Sequence, residues 1–339
     1  MSNENGLVKN RSEILFLYDI KFANPNGDPM EENKPRIDEE TGVNIVTDVR
    51  LKRTIRDYIL DYEHKNGDKF DIFIKEEFKE RGKLKTREDK LEELVSSQKD
   101  AEKLLERYVD LRLFGATIAA KREKEEKKGG ERGEGDQKGE RVFTWIGPVQ
   151  FRFGRSLHKV TPMLIKGTSV LPSAEKKAAG TFTETWVVPY SLICFYGIVN
   201  ENNAVKTNLT ETDVKLMYKA LWNGTKNLIT RSKFGQMPRL LLVVTYEEKN
   251  YHIGDLDRMI KIETNKKDEE LRDISELKID VTDLISTLAN EKSKIKTVSF
   301  EIEDNVNLVC EGKEFRGVNG LNTLLQEKGL RAVYMGINV

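Results

Sequence analysis

The sequence predicts an α+β fold, on three observations. Residues 13–22, 186–199 and 239–246 have strand character, and residues 47–63 and 210–223 carry apolar residues at helical spacing. The stretches between them are long, irregular and rich in Asn, Gly, Pro and charge. With those excursions set aside, the order is strand, helix, strand, then strand, helix, strand. That order suits a ferredoxin-like sheet with helices on one face and large loops inserted in it.

Each element has its own warrant. In residues 13–22, Ile14, Phe16, Tyr18, Ile20 and Phe22 alternate with a more polar set, the period of a half-buried strand. Residues 23–47 form a loop well beyond the ~12–15 residues above which loops are usually functional or disordered. Thr47 is placed to cap a helix running to about residue 63, with Leu51, Ile55, Tyr58, Ile59 and Tyr62 on one stripe. Residues 69–75 read as a short strand and 87–108 as a charged amphipathic helix. Residues 110–119 lead into the low-complexity segment 121–141, where eight of 21 residues are basic, seven acidic and five glycine. It has too little apolar surface to bury and is expected to be mobile.

Residues 142–153 read as a strand or hairpin, with Phe143, Trp145, Val149, Phe151 and Phe153 on one face and Gln150 and Arg152 on the other. Residues 161–185 are another irregular excursion before the apolar strand at 186–199. Val214, Leu216, Met217 and Leu221 give the second helix its pattern, and residues 239–246 are apolar enough to be central in the sheet. From residue 255 onward, short strands and helices mix without an assigned place, and no internal repeat is evident.

Charge and termini exclude several classes. The 57 Lys and Arg residues balance 57 Asp and Glu, so the chain is no general polycation that would attract nucleic acid over its whole surface. Residues 1–12 lack the apolar core of a secretory leader, and the apolar stretch 186–199 is too short to span a bilayer. A cytoplasmic protein is expected. Cys194 and Cys310 have no CxxC spacing, and His64, His158 and His252 have neither metal spacing nor a nucleophile partner, so solvated or incidental roles are expected for the histidines. Neither GxxxxGK[ST] nor GxGxxG occurs, leaving nucleotide-dependent chemistry without support.

Three constellations remain. Arg50, Lys52, Arg53 and Arg56 cover the side of the first helix opposite Leu51, where free N–H groups already favour anions. Asp48 and Asp57 are available to neutralise that face. The loop Asn24-Pro25-Asn26-Gly27-Asp28-Pro29 is dense in turn chemistry and offers backbone amides and Asn side chains to a ligand, or simply a structural turn. Asp28 is a conceivable acid or base, although no second carboxylate or histidine is tied to it by spacing. Gln150 and Arg152, with Arg155 and Ser156 just beyond, form a polar contact surface, and Arg231, Ser232 and Lys233 make a second basic loop.

Several of these blocks together resemble one family. Residues 24–29, Pro35-Arg36-Ile37-Asp38, Thr41-Gly42 and the run 46–58 match its N-terminal signature. Asp110-Leu111-Arg112-Leu113-Phe114-Gly115-Ala116, Gly147-Pro148-Val149-Gln150-Phe151, Arg155-Ser156-Leu157 and Val188-Pro189-Tyr190 continue it. The chain resembles the backbone subunit of the CRISPR Cascade surveillance complex, of the Csh subtype found in type I-B systems and within the RAMP superfamily.

The resemblance implies a modified RNA-recognition-motif palm over residues 13–246, with residues 247–339 as an extension completing or packing on it. It implies a non-catalytic subunit whose copies stack along the spacer part of a CRISPR RNA. Other Cascade subunits and target DNA paired to the guide would be further partners, with no cofactor, metal or membrane. Residues 161–185 would be a thumb that folds over the RNA, bearing Lys176, Lys177 and Phe182. The implied RNA-binding set is then Asn24, Asn26, Gly27, Arg36, Thr47, Arg50, Lys52, Arg53, Arg56, Gly115, Gln150, Arg152, Arg155, Ser156, the three thumb residues, and Arg231, Ser232 and Lys233. Related backbone subunits of type III complexes cut RNA with an aspartate in a comparable loop, so a metal-dependent endoribonuclease using Asp28 is the alternative. A protein coating any guide sequence must read RNA backbone and shape and leave base edges free to pair, which agrees with this inventory.

Overall fold

A computed structural model describes residues 6–64, 70–79, 82–86, 89, 98–121, 140–168 and 182–338. The first half contains β1 (Ser12–Ala23), β2 (Gly27–Asp28), β3 (Lys34–Pro35), β4 (Val43–Val46), α1 (Asp48–Tyr58), α2 (Gln98–Arg107), α3 (Val109–Phe114), β5 (Gly115–Lys121), β6 (Glu140–Ile146), β7 (Val149–Phe151), β8 (Gly154–Lys159) and β9 (Met163–Thr168). Then follow β10 (Phe182–Val199), α4 (Glu201–Thr207), α5 (Glu211–Lys226), β11 (Met237–Tyr246), β12 (Lys261–Glu263), β13 (Lys278–Asp280), α6 (Thr282–Asn290) and β14 (Ile295–Ile302). The chain closes with β15 (Asn307–Cys310), β16 (Lys313–Arg316), α7 (Gly317–Glu327) and β17 (Ala332–Tyr334). The elements divide into two compact units.

The larger unit comprises residues 10–55, 151–199 and 217–339. Its main sheet has the order β17-β14-β11-β1-β10-β8-β4. The inner strands β11-β1-β10-β8 are all antiparallel, in register from Ser12 opposite Val199 and Thr245. α1 follows β1 in the chain, and α5 lies between β10 and β11. The next strands after α1 to enter this sheet are β7, which pairs with β10, and β8, not residues 69–75, where Asp71 makes only an isolated bridge.

β1 is buried on both faces along residues 12–20, more deeply than its alternating pattern predicts, because it has a strand on each edge and side chains packed on each side. Leu15 and Leu17 join Leu242 and Val244 of β11, Phe300 and Ile302 of β14, Leu284 and Leu288 of α6, and Leu321 and Leu325 of α7 in one core. The four-stranded sheet β12-β13-β15-β16 enters the same core through Ile279 and Leu308. This places the C-terminal region that sequence pattern left unassigned. Apolar burial at ~25 cal/mol per Å2 makes such a shared core the main favourable contribution to folding.

The buried carboxylate near the start of β1 is well supplied with donors. Glu13 accepts the hydroxyls of Tyr196 and Tyr246 and the backbone N–H groups of Ile253 (2.9 Å) and Gly254 (2.8 Å). A buried carboxylate is tolerated only with such a set. At the other end of β1, the pairing with β10 skips Phe22, opposite Pro189, which has no N–H to give. Phe22 adopts φ 45° and is exposed there, so the alternation that assigned it to the buried face fails at this skipped pair.

Both irregular excursions hold more structure than expected. The 23–47 loop contains the β2–β3 ladder and β4, which pairs with β8. Within 161–185, β9 pairs with the start of β10, from Met163 opposite Val187 to Thr168 opposite Phe182, forming an arm whose residues 169–181 lie outside the described residues.

The smaller unit comprises residues 1–9, 56–150 and 200–216. Its core gathers Phe73, Leu104, Leu105, Tyr108, Leu111 and Ile118, with Phe143 and Trp145 packed against it. Residues 142–153 are two strands, broken at Gly147 and Pro148, and Phe153 is exposed, not part of the apolar face. Of the expected helix 87–108, α2 covers 98–107 while residues 87–88 and 90–97 lie outside the described residues, as does most of the low-complexity segment 121–141. A π-turn at residues 59–63 follows α1, and its extra residue per turn rotates Tyr62 off the buried stripe into solvent.

Candidate nucleic-acid interface

Three segments of the larger unit converge on the N-terminus of α1. Asn26 Oδ1 accepts both the backbone N–H and the hydroxyl of Thr47, each at 2.9 Å. Thr47 Oγ1 in turn accepts the N–H of Arg50 at 3.3 Å, the cap expected from sequence. The third segment follows α5: the N–H of Asn24 donates to the carbonyl of Ser232 at 2.7 Å.

The loop itself is tightly built. Asn24 is buried and its Nδ2 donates to the Asn33 carbonyl at 2.6 Å. A side chain at Gly27 would bring its Cβ to 2.6 Å from that same carbonyl, so the close approach of backbone requires glycine. Arg36 pairs with Asp28 at 2.6 Å, and the N–H of Met30 donates to Asp28 at 3.0 Å. Arg36 Nε is buried without a hydrogen-bond partner. The Asp28 carboxylate is thus an arginine partner.

The cations here are of two kinds. Arg50 donates to Thr54 Oγ1 at 3.0 Å and lies within electrostatic reach of Tyr18 and Lys233. Burial, and then the Arg50 charge, hold the Lys233 ammonium below the usual lysine range. Arg231 is exposed on the same loop. Lys52, by contrast, is neutralised by Asp48 at 2.9 Å, one turn away, and Arg53 is half-buried.

Other sequence-selected residues are placed elsewhere or hold structure together. Arg56 belongs to the smaller unit, buried against Asp110 at 2.9 Å with its guanidinium 5.1 Å from the Phe114 ring, so it does not extend an exposed basic face. Gly115 of that unit has φ 69°, and a Cβ there would meet the Trp145 carbonyl at 2.1 Å. Gln150 is exposed and donates to the Gly147 carbonyl at 2.9 Å.

In the larger unit, Arg152 is engaged by Asp255 and, at 3.7 Å, by Asp257, over the Tyr196 ring. Arg155 is exposed and reaches Asp38 at 3.2 Å. Ser156 is buried, contrary to the polar surface expected of it, because β8 turns Arg155 and Lys159 outward and Ser156 inward. Its hydroxyl donates to the His158 carbonyl at 2.6 Å and accepts the N–H of Asn44 at 2.9 Å. His158 is also buried, not solvated: Nδ1 donates to the Lys159 carbonyl at 2.9 Å and Nε2 accepts the Leu192 N–H at 3.2 Å. Lys176 and Lys177 lie outside the described residues, and Phe182 opens β10.

The family model for CRISPR-associated protein Cas7 matches residues 10–282, which include every segment of this cluster. The chain belongs to the Cas7 family. A CRISPR-associated protein Cas7 from Haloferax volcanii is 36% identical over 303 residues, covering 85% of this chain and 86% of that one. A chain of a solved CRISPR RNA-guided surveillance complex aligns over 87% of this chain and 90% of its own, at 12% identity and TM-score 0.46. A chain of a surveillance complex in a pre-nicking state aligns over 94% and 99%, at 12% identity and TM-score 0.48. The family resemblance read from the sequence is borne out at the level of Cas7.

In this Cas7 chain, sequence reasoning missed two exposed aromatics beside the cluster, Phe22 and Phe234. The left-handed backbone of Phe22, φ 45°, leaves no mark in the alternation from which β1 was read. Among the described residues, no three His, Cys, Asp or Glu side chains group so as to hold a metal ion, and no helix is long and apolar enough to cross a membrane.

Proposed function

We propose that this Cas7 protein is a non-catalytic, CRISPR RNA-binding backbone subunit of a surveillance complex, of the Csh kind found in type I-B systems. Copies stack along the spacer part of the guide, beside other Cascade subunits, in the cytoplasm, and target DNA pairs to the exposed bases. The observation that carries this reading is the convergence of Arg50, Arg231 and Lys233 with the Asn24–Gly27 loop at the capped start of α1. Cations, amide donors and a helix N-terminus together form a phosphate-backbone cradle that needs no base sequence.

Further features support the finer parts of the proposal. The antiparallel order β11-β1-β10-β8, with α1 after the first strand in the chain and α5 between the third and fourth, fits an RNA-recognition-motif palm within residues 13–246. Residues 247–339, which supply β14, β17 and much of the core on one face, fit an extension that completes it. The β9–β10 arm fits a thumb at 161–185, with Lys176, Lys177 and Phe182 as its RNA contacts. Arg36, Lys52, Arg53, Arg152, Arg155 and Ser156 then act chiefly by shaping or supporting the groove, while Arg56, Gly115 and Gln150 shape the smaller unit. Engagement of Asp28 by Arg36 favours a structural aspartate over a nuclease one.

The test is purification from the native host. Short RNA of uniform length should accompany large assemblies that shrink on ribonuclease treatment. An RNA-free monomer at low salt, without affinity for added CRISPR RNA, would overturn the proposal. Regularly spaced cleavage of complementary RNA, abolished by Asp28→Ala, would establish the nuclease instead.

A further inference from the structure

Two aromatic rings stand in solvent beside the cationic cluster: Phe22 is 58% exposed and Phe234 65%. The Asn24 N–H to Ser232 carbonyl bond, 2.7 Å long, holds their two segments side by side. Phe22 lies two residues before one end of that bond, and Phe234 two residues after the other.

Neither ring is a loose surface side chain. Phe22 has φ 45°, a left-handed conformation that a bulky residue rarely adopts, at the skipped pair opposite Pro189. Phe22 is exposed although Ile14, Phe16, Tyr18 and Ile20, at the same period along β1, are buried, and its left-handed backbone is what sets it apart from them. Phe234 sits in a turn closed by N–H bonds from Lys233 (3.2 Å) and from Phe234 itself (3.0 Å) to the Thr230 carbonyl. Gly235, at φ 85°, ends that turn.

The geometry points to Phe22 and Phe234 as stacking platforms for unpaired bases of a single-stranded RNA whose phosphates lie on Arg50, Arg231 and Lys233. This rests on the RNA-binding reading above and extends it from the backbone to the bases. Aromatic faces beside a basic track are the composition of sequence-tolerant single-strand binding, because every base has a π face. A protein partner packed on the rings would also have to cover Arg231 and Lys233, whereas a single-stranded polyanion satisfies rings and cations together. Burial and the Arg50 charge disfavour the charged Lys233 ammonium, and a phosphate beside it offsets that cost.

The test compares the full-length protein with Phe22→Ala, Phe234→Ala and the double variant, each bound to oligouridine and to an abasic oligomer of equal length. Each substitution should weaken oligouridine binding by about five-fold or more and leave abasic binding unchanged. Phe22→Tyr and Phe234→Tyr keep the rings and should bind as the unmodified protein does. Equal losses on both oligomers, or no loss, overturn the proposal. So does a loss of self-association with RNA affinity intact, which assigns the rings to contacts between copies. If the unmodified protein binds neither oligomer, the RNA-binding reading falls and the stacking reading with it. If it binds both and the alanine variants bind both as tightly, stacking alone is wrong.

Discussion

Asn26 Oδ1 accepts two hydrogen bonds from Thr47, one from its backbone N–H and one from its hydroxyl, both 2.9 Å long. One amide oxygen thereby fixes the loop after β1 to the residue that caps α1. Asn26→Ala should lower stability by about 1–2 kcal/mol in urea unfolding, the range for removing a part-buried acceptor and leaving the two Thr47 donors without it. RNA affinity should fall with it. Asn26→Asp retains the acceptor oxygen and should recover most of the stability.

In the smaller unit, Arg112 grips Asp213 with two parallel bonds of 2.8 and 2.9 Å, both groups buried. Asp213 also accepts the N–H and hydroxyl of Thr210, and Arg112 donates to the carbonyls of Leu105 and Glu106. Asp213→Ala leaves the guanidinium buried and uncompensated and should cost about 3–5 kcal/mol, read from the unfolding midpoint. Asp213→Asn should cost less.

RNA binding should weaken at alkaline pH earlier than an ordinary lysine would cause. Burial and Arg50 depress the Lys233 pKa, so its charge is present below that value and lost as pH rises through it, short of the usual 10.5. A bound phosphate favours the charged form, so binding takes up a proton over that window. Affinity measured from neutral to alkaline pH should show the decline, and Lys233→Arg should abolish it.

Acid should destabilise the larger unit through His158. Burial lowers its pKa below 6.5, so the unfolded state binds a proton more readily. Stability should decrease as pH falls below about 6.5, and His158→Gln should flatten that dependence in thermal unfolding.

β1, α1 and α5 were legible because their apolar residues recur at 2.0 or 3.6 spacing, and β10 and β11 because each carries a nearly continuous apolar run. The C-terminal region was not, because its short elements bury their apolar residues only in a core shared with Leu15, Leu17 and Leu242, contacts that span the chain. The Asn26 loop and the Arg50 helix start were visible as local chemistry, and their meeting with Ser232 and Lys233 depends on tertiary pairing across some two hundred residues. Arg56 and Ser156 misled for one reason. A charge or hydroxyl in sequence carries no sign of the buried partner, here Asp110 and Asn44, that will claim it. Phe22 misled because its left-handed backbone, φ 45°, breaks the alternation that the rest of β1 keeps.

The central claim, that Arg50 and Lys233 hold phosphates of a single-stranded RNA, is tested most directly by salt dependence. Dissociation constants of the unmodified protein and of Arg50→Ala with Lys233→Ala should be measured across a range of salt concentrations. Removing one phosphate-binding cation should make the slope of log affinity against log salt shallower by about 0.7, so the double variant should be shallower by about 1.4. An unchanged slope, with affinity unchanged at every salt concentration, would contradict the account.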